Sequence, residues 1–291
     1  MKKFLSILSV SFLILLMATS PAVAQQPEAD RQADDKPAAP FQVFDNLYFV
    51  GFESACAWVI KTSQGLILID SGYVQLPDHI PGAMRQFGLN FSDAKYLIIN
   101  HAHTDHTGAA NHFKELNRGL RIGMAEGDWE FQASGTYMNS QGIPRKFTPI
   151  PRDLVIKDQD TLTLGDTTLK FHVLPGHTPG DTTIEFTAIE GNKRYKTILF
   201  SGLGTAFRGV KAAQEHLDRI KRVMAAPDVQ VTLSDHTMGI NLFEKAAKLK
   251  ARKPGDANPF VDGPEAFRRE MQPRLAAAEK KLADERAANR P

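Results

Sequence analysis

The sequence predicts an α/β fold in which ligand-bearing loops leave the ends of strands. Three stretches carry that prediction. A short apolar run, Tyr96-Leu97-Ile98-Ile99, leads into Asn100-His101-Ala102-His103-Thr104-Asp105-His106, and Thr107-Gly108-Ala109-Ala110 then opens a segment of helical character. Strand-like runs at 168–173 and 182–188 flank the turn-forming Leu174-Pro175-Gly176-His177-Thr178-Pro179-Gly180-Asp181. A third run, 229–233, precedes Ser234-Asp235-His236-Thr237. Open α/β sheets place their sites at the carboxyl ends of strands, and this chain repeats that arrangement three times.

Along the chain, Lys2 and Lys3 precede an apolar run at about 4–17, and Ala22-Val23-Ala24 supplies the small residues of a cleavage site. Residues 1–24 therefore read as an export signal too short to be a membrane span. Gln25 is expected to be the first residue of the exported protein, and N-terminal sequencing of periplasmic material reads this directly. No Cys follows the apolar run to take a lipid anchor. Residues 25–40, rich in Pro, Ala, Asp and Gln, are expected to be a disordered leader. Strand-like alternation then covers 41–50, 55–61 and 66–70, with Gln64-Gly65 as a turn. Residues 129–151 read as a long loop that sets Trp129, Phe131, Tyr137, Met138, Ile143 and Phe147 among polar residues. The last segment, 264–291, reads as a charged helix with Phe267, Met271, Leu275 and Leu282 at helical spacing and Pro273 interrupting it. Its expected role is packing on the outside of the domain. Residues 41–291 are long enough for one large core, so a single domain is expected.

Composition excludes some partners. The signal holds two Lys and no acidic residue, so of 35 basic and 33 acidic side chains the remaining chain keeps equal numbers. Phosphate binding needs a basic excess, which argues against nucleic acid. Cys56 is the single cysteine, so no intrachain disulfide can form, and its apolar run reads as a buried strand.

Imidazole and carboxylate together suit zinc and its first-row neighbours. Within the first loop, His101 and His103 can turn towards one ion while Asp105 and His106 turn towards a second. Asp70, in Leu68-Ile69-Asp70-Ser71-Gly72, ends a strand and is either part of a turn or an acceptor for a ligand imidazole. His79, His112, His172 and His216 lie outside any such motif and read as surface or packing residues.

His-x-His-x-Asp-His, a later Gly-His-Thr-x-Gly and a final histidine make this chain resemble the metallo-β-lactamase superfamily, from about residue 41 to about residue 267. It is most similar to the di-zinc β-lactamases of subclass B3. The resemblance implies an αββα sandwich of two mixed sheets with helices on both outer faces. It implies two zinc ions, one on His101, His103 and His177 and the other on Asp105, His106 and His236. A hydroxide held by the two cations would then be the nucleophile, Asp105 would orient it and carry a proton, and Asp70 would be an outer partner of the ligands. Many superfamily members carry a metal-bridging Asp after a later strand, and B1 lactamases a Cys. The stretch Ile198-Leu199-Phe200-Ser201-Gly202-Leu203-Gly204-Thr205 has neither. B3 enzymes lack that ligand too, although they typically have Ser where Leu203 falls here. Ser201, Thr205 and Arg208 are then candidates for a substrate carboxylate, with Trp129, Tyr137 and Phe147 as a substrate wall. The implied activity is periplasmic hydrolysis of β-lactam antibiotics, with a monomer favoured and no membrane contact after cleavage. Its rivals are an exported hydrolase of a lactone or thioester and a metal-binding protein without turnover.

Overall fold

The structure is a computed structural model and describes residues 35–138, 144–202 and 208–289. The expected signal at 1–24, most of the leader, and positions Leu203 and Thr205 lie outside the described residues. Strands β1 (Phe41–Phe44), β2 (Leu47–Phe49), β3 (Trp58–Thr62) and β4 (Gly65–Ile69) form an antiparallel meander. Helix α1 (His79–Arg85) leads to β5 (Ala94–Ile98), and α2 (Thr104–Thr107) and α3 (Ala110–Leu116) lead to β6 (Arg121–Ala125). Helix α4 (Glu126–Ala133) and the hairpin β7 (Thr136–Met138) and β8 (Pro144–Lys146) precede β9 (Leu154–Ile156). Strands β4, β5, β6 and β9 are parallel and complete a seven-stranded sheet.

A second, five-stranded sheet follows: β10 (Thr161–Leu164), β11 (Thr167–Val173), β12 (Thr182–Glu190), β13 (Lys193–Phe200) and β14 (Val231–Ser234). Only β13 and β14 pair in parallel, so both sheets are mixed. The β13–β14 crossover carries α5 (Val210–Met224), and α6 (Leu242–Ala251) and α7 (Gly263–Ala288) end the domain.

Side-chain alternation explains the layers, because successive residues of a strand face opposite sides. Trp58, Ile60, Ile67, Ile69 and Ile98 meet Leu169, Phe171, Ile184, Phe186 and Leu199 between the sheets. Their neighbours Val59, Leu68 and Leu97 turn outwards to Ile80, Met84 and Phe113. On the far side Ile198 and Phe200 meet Leu217 and Ile220 of α5 and Phe267, Met271 and Leu282 of α7. The αββα sandwich is the observed fold.

Three expectations change in detail. Residues 41–50 form a two-strand hairpin, β1–β2, because Asp45 and Asn46 turn the chain and Asn46 bonds across to Thr187 O and Ile189 N. Residues 35–40, read as the end of a disordered leader, are held by Asp35, which accepts from Ser54 N and Ser54 Oγ, and by a bridge between Pro37 and Phe52. The stretch read as a long loop, 129–151, holds the later part of α4 and the β7–β8 hairpin. Within it Trp129 is buried and its Nε1 donates to Leu154 O at 3.0 Å, while Ile143 lies outside the described residues.

Candidate metal centre

The expected site residues sit where strands end. β4 ends before Asp70, β5 before the His101–His106 loop, β11 before His177, β13 before Ser201 and β14 before His236. The structure brings the three loops together. The His101 ring centroid lies 4.9 Å from that of His103, 4.7 Å from His177 and 4.1 Å from His106, and His106 lies 5.2 Å from His236. Asp105 joins them, with Oδ2 3.4 Å from His106 Nε2 and 3.8 Å from His236 Nε2. His101, His103 and His177 form one group able to share an ion, and His101, Asp105 and His106 a second.

The residues fit a metal pair by the chemistry of their free atoms. His101 Nε2, His106 Nε2 and Asp105 Oδ1 are buried with no hydrogen-bond partner. Leaving such atoms unpaired in a dry site costs about 1–3 kcal/mol each, unless an ion takes them. The opposite ring nitrogens are held. His106 Nδ1 meets Asp70 Oδ2 at 2.8 Å, His236 Nδ1 meets Ser54 O at 3.2 Å, and His101 Nδ1 meets Ser201 Oγ at 3.2 Å. Pinning one nitrogen fixes the tautomer and offers the lone pair of the other to a metal.

The first loop is itself anchored. Asp70, at φ 62°, takes a left-handed conformation rare for a residue with a Cβ, and its Oδ1 accepts from Asn100 N at 2.8 Å. Ser71 donates from N and Oγ to His106 O. Asp128, missed in the sequence, lies below: it is fully buried and accepts from Ala102 N at 2.9 Å, Thr178 Oγ1 at 2.8 Å and Gly180 N at 2.7 Å. One carboxylate thus joins the loops of His101 and His177. A Cβ on Gly180 would lie 2.4 Å from Asp128 N, so glycine is needed for this approach.

The proposed substrate contacts separate. Tyr137 stacks on His103 at 4.8 Å and 26°, its hydroxyl is 3.2 Å from Thr104 Oγ1, and Phe147 stacks behind it at 4.7 Å. Trp129 belongs to the core and is no wall. Ser201 is buried beneath His101, so it backs an imidazole and is closed to a substrate. Arg208 is exposed beside Glu285 at the end of α7. The remaining histidines have other partners: His79 meets Gly51 O, His112 meets Asp78 and His172 meets Glu185, while His216 is buried against Gly176. Burial raises the Cys56 thiol well above its usual range, which leaves it unreactive.

Charge divides the cluster. Burial, then repulsion from neighbouring imidazoles, lowers His101 and His177 well below 6.5. Burial acts the same way on His106, but the Asp105 and Asp70 carboxylates outweigh it and raise that imidazole. Burial alone would raise Asp105, yet His106, His236 and His101 hold it well below the usual carboxylate range. The metal-free protein should therefore lose stability on acidification. Contributions from His101 and His177 are complete above pH 6.5 and are lost as pH falls below it. His106 has the opposite sign: its contribution is complete below 6.5 and is lost only as pH rises through its raised value. Thermal denaturation in chelator should show Tm falling from pH 6.5 to about 5. A constant Tm would contradict the burial of two neutral imidazoles.

The chain is similar to known proteins in sequence and in fold. The sequence profile of the metallo-β-lactamase superfamily matches residues 50–188. The chain carries a metallo-β-lactamase superfamily domain. The domain is similar to the subclass B3 metallo-β-lactamase BJP-1 of Bradyrhizobium japonicum, with 29% identity and a TM-score of 0.75 over 88% of this chain and 97% of that one. It is also similar to the native FEZ-1 metallo-β-lactamase of Legionella gormanii, with 26% identity and a TM-score of 0.76 over 87% and 98% of the two chains. An acyl-coenzyme A thioesterase of Gallus gallus is 25% identical over 179 residues, 56% of this chain; the match spans 61% of that relative's length. The metallo-β-lactamase domain thus belongs among metallo-hydrolases.

Proposed function

We propose that this chain is an exported zinc hydrolase that opens the amide bond of β-lactams. The observation that carries the reading is the set of buried, unpartnered His101 Nε2, His106 Nε2 and Asp105 Oδ1, opposite ring nitrogens that are already engaged. The near-complete coverage of B3 β-lactamases by this chain supports the substrate.

In this reading His101, His103 and His177 hold one zinc and Asp105, His106 and His236 the other. Zinc, when bound, supplies Lewis acidity towards a carbonyl and towards water. Asp105 keeps its charge beside three imidazoles; with one carboxylate oxygen given to the metal, the other would take the proton of the attacking water and return it to the departing nitrogen. Tyr137 and Phe147 are buried with Trp129, and the Tyr137 ring, backed by Phe147, holds His103 in place by stacking on it. Asp70 and Ser54 O keep the ligand imidazoles in one tautomer.

A second reading, hydrolysis of an acyl thioester, is favoured by the avian relative alone. One assay separates the two. Zinc-saturated protein should bind two equivalents of zinc, hydrolyse a chromogenic cephalosporin and lose that activity in EDTA. Hydrolysis of an acyl-coenzyme A with no turnover of the cephalosporin would replace the first reading by the second.

A further inference from the structure

Behind His101 lies a connected set of buried polar groups that includes a carboxylate next to the last ligand in sequence. Asp235 Oδ2 is 3.4 Å from His101 Nδ1 and accepts from Gly202 N at 2.9 Å, while Asp235 Oδ1 accepts from Ser234 Oγ at 3.2 Å. Gly202 O accepts from Arg219 Nη1 at 2.8 Å, and the same nitrogen donates to Asp181 Oδ2 at 2.5 Å. Arg219 reaches this point from α5, with its guanidinium 4.5 Å over the Phe200 ring. Gly202 has φ 63°, and a Cβ there would sit 1.7 Å from Asp181 Oδ2, so glycine alone allows the backbone to pass between the two carboxylates.

Asp235 also falls within 4.8 Å of ligand atoms of His106 and His236, which raises the alternative that it binds metal itself. Its two oxygens argue otherwise. Each already accepts a donor, whereas Asp105 keeps Oδ1 without one. We propose that Asp235 is the positioning residue of His101: its carboxylate accepts the Nδ1 proton and so presents Nε2 to the metal. Two acceptors compete for that proton, Ser201 Oγ at 3.2 Å and Asp235 Oδ2 at 3.4 Å. An ionised carboxylate is the stronger acceptor, so at near-equal distance it takes the proton. A charged acceptor also makes the imidazole a better ligand than a hydroxyl would. The inference rests on the reading that zinc occupies this cluster.

Zinc titration of the full-length metal-free protein tests it, with cobalt(II) substitution and proton NMR as a second readout. In the cobalt protein the Nδ1 proton of a ligand histidine gives a shifted, exchangeable signal only where an acceptor shields it. Asp235→Ala should weaken zinc binding by about 100-fold and lose one such signal to exchange, with the fold retained by circular dichroism. Asp235→Asn keeps an acceptor without the charge; it should keep the signal and lose about 10-fold in affinity. This second variant decides the matter if the first does not fold. Ser201→Ala removes the other acceptor; it should keep the signal and lose less zinc affinity than Asp235→Asn. Wild-type affinity in Asp235→Asn, or loss of the signal in Ser201→Ala instead, would overturn the inference. Loss of a whole equivalent of zinc in Asp235→Asn would make Asp235 a ligand and overturn it also. Wild-type protein that takes up no zinc overturns the hydrolase reading and this inference with it.

Discussion

Asp105→Asn should lower kcat by about 10² to 10⁴-fold and should stay low when zinc is added in excess, because general acid–base groups contribute on that scale. The substitution keeps an oxygen near His106 and His236 but removes the charge and the ability to take a proton. His236→Ala is the informative companion. It removes a neutral ligand from the open side of the cluster, where the side chain is 34% exposed and water can enter. Its activity should fall with metal affinity and return in part at high zinc. Both variants should fold, since the core between the sheets is untouched. Near-normal turnover of Asp105→Asn at saturating zinc would remove the proton-carrying role from that carboxylate.

Asp128→Ala should cost about 3 kcal/mol or more, because it strands buried donors at Ala102 N, Thr178 Oγ1 and Gly180 N. For a domain of this size that corresponds to roughly 6–12 °C in Tm. The effect should reach the site, since those donors fix the loops of His101, His103 and His177. Thr178→Val removes one of the three bonds and should cost about 1 kcal/mol. Zinc should raise the Tm of Asp128→Ala less than that of wild type, because the loops are no longer held in register. Equal Tm values for Asp128→Ala and Thr178→Val would show that the carboxylate is not the joint between the loops.

Particular residues mark how far the sequence alone could be read. Asp70 could be a turn residue or an acceptor, and only its 2.8 Å contact with His106 across 36 positions decides between them. Trp129, Ser201 and Arg208 show the limit of assigning contacts from nearness in sequence. Their segments border the site, but the fold turns Trp129 into the core, buries Ser201 under His101 and leaves Arg208 beside α7. Asp128 carried no motif, because its three donors come from positions 26 to 52 residues away.

By itself the sequence determined the family, the sandwich and the six candidate ligands. Those depend on local patterns: strand alternation sets which face is buried, and two short histidine loops and a late histidine fix the donor types. Tertiary structure decided what stands behind the ligands. Asp70, Asp128, Asp235 and Arg219 act through buried hydrogen bonds that tie strand ends to one another and to helices α4 and α5. Such bonds are set by how the two sheets face each other and by which polar groups burial leaves in need of a partner, and no local spacing encodes either.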